Sequence, residues 1–460
     1  MPTEAQAHDV PLSVTLLFAA LLVGLIVCLA LEEKLHAKKS LIAGAFALVG
    51  LLLASALDLL PFGPLVNVFG ESLLIPAYVQ GVDWGVIAII LGSSIFVDVT
   101  SRSGLFTWIA IRLTKASGGD PLRLLWLYGL MTVAFSAVLN NVTAMIIVGS
   151  LSAVSLERLK RREKLLGFLL LEGLLTNVGG LLTLISSVPN IIVGTTAGIS
   201  FVRFFLVAGP YVVVATAATL WLGARSFGIK GLTSEVERAE AAALVGGFDE
   251  NDGIESRSFF IVGAAMTVAF ILVIATTSVL PAVSSLGMGF VALAFAAAML
   301  VRFKADVDQF YKTVDWDLLG FFVALFTFIN VIEHAHVLAL IGHGLAAVIG
   351  LGDVVGSGLM LVSAAAFSSV TDNIPLAAML SKILANMGTA NDDPLWWSVI
   401  FGANLGGNLT PIGSASTLVA VTIIHKHGLP MSFGAFVKVA APYALLQLAL
   451  ATVYVLVFLR

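Results

Sequence analysis

Gly402–Leu418 reads GANLGGNLTPIGSASTL, four glycines, one proline and two asparagines inside an otherwise apolar segment. A helix crossing a bilayer gains nothing from so many backbone-loosening residues at its middle. Irregular backbone at membrane depth persists only where protein or a water-filled cavity satisfies its polar groups. The stretch therefore predicts a broken helix lining a site. It has a twin: Thr176–Ser187, TNVGGLLTLISS, carries the same Asn-x-Gly-Gly-x-Leu-Thr-x-Ile-x-Ser pattern 227 positions earlier.

The bulk numbers place both stretches in a membrane. The chain has 460 residues, 59% hydrophobic and 11% charged, with mean hydropathy +1.04. Soluble domains carry roughly 25% charged residues. A single cysteine, Cys28, excludes an intrachain disulfide and a thiolate metal cluster. The opening MPTEAQAHDV lacks the basic region of a signal peptide, so Val10–Leu31 reads as a retained span. Since a span needs about 20 mostly apolar residues, further crossings fall at Ser40–Leu60, Val82–Asp98, Phe168–Ile199 (interrupted at Asn177–Pro189) and Phe201–Leu222. The second half offers Phe259–Leu280, Met288–Val301, Trp316–Asn330, Trp397–Ile424 (interrupted at Asn404–Thr417) and Phe436–Leu459. Leu122–Val154 and Val354–Leu384 are apolar at their ends and polar at their centres, the pattern of re-entrant hairpins.

Other motifs recur in the same order. Val82-Asp83-Trp84 returns as Val314-Asp315-Trp316, and Phe135–Val142 as Phe367–Ile374, both 232 positions later. The chain thus reads as two homologous halves, residues 1–225 and 258–460, joined by an acidic linker, 226–257, which is too short for a core and reads as a solvated cytoplasmic connection. Each half has five crossings, one hairpin and one broken helix. An odd number of crossings inverts the second half relative to the first, as in many secondary transporters. Basic residues support this threading: 21 of the 24 lysines and arginines fall on one side, leaving Arg203, Lys382 and Arg460 on the other. The crowded side should be cytoplasmic, with both termini outside.

Candidate site residues follow from the tips and breaks. Asn140, Asn141 and Thr143 mark the first tip, Asp372 and Asn373 the second. Asn177, Gly179, Gly180, Thr183, Ser187 and Asn190 line the first break. Asn404, Gly406, Gly407, Asn408, Thr410, Ser414 and Thr417 line the second. Side-chain amides, hydroxyls and freed main-chain carbonyls make hard-oxygen cages, suited to a desolvated cation or to a substrate met by half-helix N-termini. A lone Asn pair would read as interhelical glue; its duplication beside a duplicated break favours a site. Asp372 is the sharpest residue, because a carboxylate at membrane depth usually faces a pathway. Its burial would let it trade a proton for a cation. Glu172 reads as a second protonatable group, a ligand or an interfacial residue, and Asp98 as a helix-end residue. Glu333, His334, His336 and His343 read as an outer rim rather than a metal site. No G-x-x-x-x-G-K-[ST] loop occurs, and no catalytic constellation is visible. Transport driven by an ion gradient is expected, without a nucleotide, nucleic acid or cofactor other than Na⁺ or H⁺ as coupling ions.

The tips and breaks resemble an ion-transporter superfamily. It contains citrate permeases, sodium/dicarboxylate symporters, arsenite-efflux permeases, bacterial sodium/proton antiporters and the melanosomal P protein. Asp372-Asn373-Ile374-Pro375 with Asn404–Ser414, and Glu172 with Thr176–Gly180, are similar to the arsenite-permease and P-protein branch. The resemblance implies a homodimer in the inner membrane, in which a domain of hairpins and broken helices moves as an elevator against scaffold helices. Three departures stand out. Asn140 replaces an acidic residue of the P-protein type. Ser186–Asn190 lacks the relatives' glycine and second proline. Neither tip has the Ser-Asn-Thr of dicarboxylate symporters. The resemblance points to Na⁺/H⁺ antiport, with efflux of arsenite, antimonite or another small oxyanion or organic anion as the alternative. An ion channel is the reading from a different class, disfavoured because a channel needs no pair of occluding hairpins.

Overall fold

A computed structural model describes residues 10–60, 65–66, 69–304, 307–370 and 373–459. It is nearly all helical, with eight helices long and apolar enough to cross a membrane among the described residues. The first half contains α1 (Leu12–Ala30), α2 (Lys39–Ala56), α3 (Trp84–Ser101), α4 (Leu105–Ser117), α5 (Pro121–Val138), α6 (Asn141–Arg158), α7 (Leu165–Gly179), α8 (Val188–Thr196) and α9 (Phe201–Ser226). The second contains α10 (Arg257–Thr276), α11 (Gly287–Arg302), α12 (Trp316–His334), α13 (Val337–Ile349), α14 (Asp353–Ser368), α15 (Asn373–Asn386), α16 (Pro394–Gly406), α17 (Ala415–Lys426) and α18 (Phe433–Phe458).

Local chemistry starts and bends these helices at matching places. Asp83 accepts from the Val86 amide at the start of α3, and Asp315 accepts from the Leu318 amide at the start of α12. Ser200 and Ser432 cap α9 and α18 in the same way. Such caps satisfy amides that the first helical turn leaves free. Pro210 and Pro442 lie inside those two long helices, where each removes one backbone hydrogen bond.

Packing divides the helices into two groups. In one, α2 packs on α12 and α11 on α3, close enough that a Cβ on Gly92 would lie 2.4 Å from the Ala292 carbonyl carbon. In the other, α5 packs on α7 and α14 on α16. Here the glycines of the two Gly-Gly pairs are required: a Cβ on Gly179 would lie 2.7 Å from Val133 Cα, and one on Gly406 2.3 Å from the Ala365 carbonyl oxygen. No side chain fits such an approach of backbones. The broken helices are the centre of the molecule. All of Leu395–Gly406, and all of α7 except Leu166, are buried, whereas α1, α2, α10 and α18 leave most of their surface for lipid.

The linker departs from expectation. It was expected to be a solvated connection too short for a core, yet it forms a helix, Glu235–Gly246, capped by Ser234, and it docks. Leu232 donates its amide to Asp120 (2.9 Å), Glu250 pairs with Arg112 (3.3 Å) and Lys115 (3.1 Å), and Arg158 lies over the Phe248 ring. Ala241, Val245 and Phe248 are buried beneath it. A few apolar residues suffice when an existing helix end supplies the rest of the contact.

Candidate functional site

The two breaks meet face to face. Helix α7 ends at Gly179 and α8 starts after Ser187; α16 ends at Gly406 and α17 starts after Ser414. Between them lies an amide hub in which Asn177, Asn190, Asn404 and Asn408 are each 0% exposed. Asn177 Nδ2 donates to Asn408 Oδ1 (2.8 Å) and Ser414 Oγ (2.9 Å). Its Oδ1 accepts from Asn141 Nδ2 (3.2 Å) and Ser416 Oγ (3.0 Å). Asn404 Oδ1 accepts from Ser187 Oγ (2.6 Å), and its Nδ2 donates to Asn190 Oδ1 (2.9 Å). Buried amides must be paired, since an unpaired one costs about 1–3 kcal/mol.

Several of these bonds occur twice, between residues at the two sequence offsets. Asn177 to Ser414 is matched by Ser187 to Asn404. Ser136 donates to the Thr176 carbonyl (2.6 Å) and Ser368 to the Ala403 carbonyl (2.5 Å). Thr183 donates to the Ala137 carbonyl (2.5 Å) and Thr410 to the Ser369 carbonyl (2.6 Å). Each hairpin is thereby stitched to the broken helix beside it. The carbonyls freed by the breaks are also held. Those of Gly180 and Thr183 accept from Ser186 and Asn190, and those of Gly407, Thr410 and Pro411 accept from Thr417.

The tip groups are more open. Asn140 is exposed and caps α6 by accepting from the Thr143 amide (2.8 Å). Asn141, Thr143 and Asn373 are half-buried. Asp372 lies outside the described residues. The structure thus brings Asn141 and the residues of both breaks into one network, and leaves Asn140 and Thr143 at its edge.

Two groups outside the sequence motifs complete the picture. Gln447, a lone amide in the long α18, accepts from Asn408 (2.7 Å) and donates to Thr219 (2.9 Å). Its only sequence signal is its polarity within an apolar helix. Glu172, one and a half turns before Asn177, is 1% exposed. It accepts from Ser152 through Oε1, while Oε2 is buried without a partner. On the other side of the hub, a polar cavity of about 300 Å³ opens between α15 and α12, lined by Asp83, Asn330, Ser381, Lys382 and Asn386. At the same edge Glu333 bridges the two helices, pairing with Lys382 (3.4 Å) and accepting from Asn386 (3.0 Å). His334 bonds the Asn330 carbonyl, and Asp98 pairs with Arg102 at the end of α3 (3.6 Å).

Comparison with known proteins agrees with this architecture. A family profile described as "Citrate transporter" matches residues 26–402. An uncharacterized transporter of Mycobacterium tuberculosis is 31% identical over 381 residues, covering 81% of this chain and 86% of that protein. The P protein of Mus musculus is 25% identical, covering 93% of this chain and 60% of the longer mouse protein. Among solved structures, the Alcanivorax borkumensis YdaH transporter superposes with a TM-score of 0.63 at 14% identity, covering 92% of this chain and 98% of that one, a likeness of fold.

Proposed function

The chain belongs to the citrate transporter family and is a multi-pass membrane transporter; from that premise we propose that it is a secondary active Na⁺/H⁺ antiporter. The observation that carries this reading is a fully buried carboxyl group, Glu172, on a broken helix whose other end enters a hub of amide and hydroxyl oxygens. Membrane-buried carboxyl groups mark ion and proton pathways, and neutral oxygens suit Na⁺ once its water is removed. Cargo binds where the partly open tip groups Asn140, Asn141, Thr143 and Asn373 meet the breaks, with Asp372 as the acidic ligand that trades a proton for Na⁺. The saturated amides Asn177, Asn190, Asn404 and Asn408 hold the breaks in place around it. The two halves form inverted repeats, with the termini outside the cytoplasm. α5–α8 and α14–α17 move as one body against α2, α3, α11 and α12 within each protomer of a homodimer.

A second reading, efflux of arsenite or another small oxyanion or organic anion, is favoured by one feature. The N-termini of α8 and α17 lie at the hub through Ser187 and Ser414, and helix N-termini favour negative charge. Proteoliposomes separate the two. Na⁺ added to vesicles holding an imposed pH gradient should collapse it, and Asp372→Asn should abolish the effect. Arsenite or citrate flux without any Na⁺ effect would replace the antiport reading with the second.

A further inference from the structure

Glu172 is not alone on its side of the hub. Ser152, which donates to it, lies one helical turn from Ser155 on α6. Ser155 Oγ is 2.7 Å from the Tyr128 hydroxyl, which is 2.7 Å from Thr114 Oγ1. Ser117 bonds the Thr114 carbonyl and receives the Gly119 amide, and next to them Asp120 anchors the linker. Thr114, Ser117, Tyr128 and Ser152 are each 0% exposed. A column of hydroxyls drawn from α4, α5 and α6 thus runs from the linker-covered surface to a buried carboxyl with one unpartnered oxygen.

Packing does not require this column. At the repeat offsets, the second half places Ala346, Met360, Leu384, Met387 and Val399 where the first has Thr114, Tyr128, Ser152, Ser155 and Glu172. Met360, Leu384 and Val399 are buried as deeply as their polar counterparts, whereas Ala346 and Met387 at the outer end are exposed; Met360 lines an apolar cavity of about 400 Å³. At these three inner positions one architecture is built in both halves, dry in one and hydroxylated in the other. Burying hydroxyls and a carboxyl where aliphatic groups serve is unfavourable unless the polar groups act.

We propose that Glu172 is a proton-binding site loaded from the linker side along Thr114, Tyr128, Ser155 and Ser152, separate from the place where cargo binds. Each hydroxyl releases its proton to the next oxygen as it takes one from behind, and a water spans the turn between Ser155 and Ser152. Only the Glu172 carboxyl changes its proton count: Ser152 delivers to Oε1, and the O–H bond formed there matches the one broken on the group that reloads Thr114 from the linker side. Tyr128 is the titratable side chain that faces Glu172 from the helices packed on α7. Arg158, Arg225 and His425 are turned to Phe248, Trp221 and the Met431 carbonyl. Tyr211 and Tyr454 bond main-chain carbonyls, Tyr443 lies beside Ser226, and Glu157, Lys426 and Lys438 are exposed.

The proposal takes its purpose from the antiport reading, but its test follows the proton and not the cargo. Infrared spectra of the purified full-length protein should contain the carbonyl stretch of a protonated buried carboxyl near neutral pH, absent in Glu172→Gln. On transfer to D₂O, Tyr128→Phe and, independently, Ser155→Ala should slow the deuterium shift of that band at least about tenfold, equal to roughly 1.4 kcal/mol of barrier. A native spectrum in folded Glu172→Gln, or native exchange rates in both hydroxyl variants, overturns the proposal. These outcomes hold whether or not Na⁺ proves to be the cargo, so a failed antiport assay leaves the proton site standing or falling by itself.

Discussion

The two halves of the molecule agree at their breaks and part company at their outer arms. At the breaks, Asn177 with Ser414 and Asn404 with Ser187 make the same bond twice, and Gly179 and Gly406 admit the same backbone approach. Away from the breaks, Glu172 and its hydroxyl neighbours face one way while Val399, Leu384 and Met360 pack dry on the other. The shared part is what the fold needs to hold two interrupted helices together. The unshared part is what the fold does not need, and so is where a direction-giving function belongs.

The comparison breaks most sharply by exchanging its polarity. Val399→Glu places a carboxyl in the second half without hydroxyl partners, and should destabilise the folded protein by about 3 kcal/mol, read as a fall in its melting temperature in detergent. Stability equal to the native protein would mean that the second half is not dry at this depth. The shared packing is tested by Gly406→Ala and Gly179→Ala. Each overpacks a backbone contact and should cost about 1–3 kcal/mol, with Gly406→Ala the worse because its Cβ would come closer. Two tolerant alanines would show that the hairpins are not seated as described. The smallest effect probes the hub. Double-mutant cycles of Asn177→Ala with Ser414→Ala, and of Asn404→Ala with Ser187→Ala, should each give a coupling of about 1 kcal/mol. Coupling in one pair and none in the other would reduce the repeated geometry to a coincidence of sequence.

Much of this is legible in the sequence. Glycine, proline and asparagine in the middle of apolar segments announced the breaks, because a lipid-facing helix has no use for them, and the offsets of 227 and 232 announced the pairing of motifs. Glu172 was visible as a lone carboxyl, with its role open among proton site, ligand and interface. Its burial under Ser152 was not visible, since Ser152 stands twenty residues away on another helix. Tyr128, Thr114 and Ser155 carried no signal at all: single hydroxyls at helical spacing are ordinary in any sequence. Gln447 was equally silent. The linker was read by its charge as solvated, whereas Phe248 and Val245 bury against neighbouring helices.

The sequence by itself determined that the chain is a membrane protein with duplicated breaks and polar tips, because hydropathy and backbone-loosening residues are local properties. The tertiary structure alone decided which amides meet. Asn177 reaches Asn408 and Ser414 across more than 230 residues only because glycines let α7 and α16 press against their hairpins. It also decided that one half carries a hydroxyl column, because three helices must pack together before Thr114, Tyr128 and Ser155 touch.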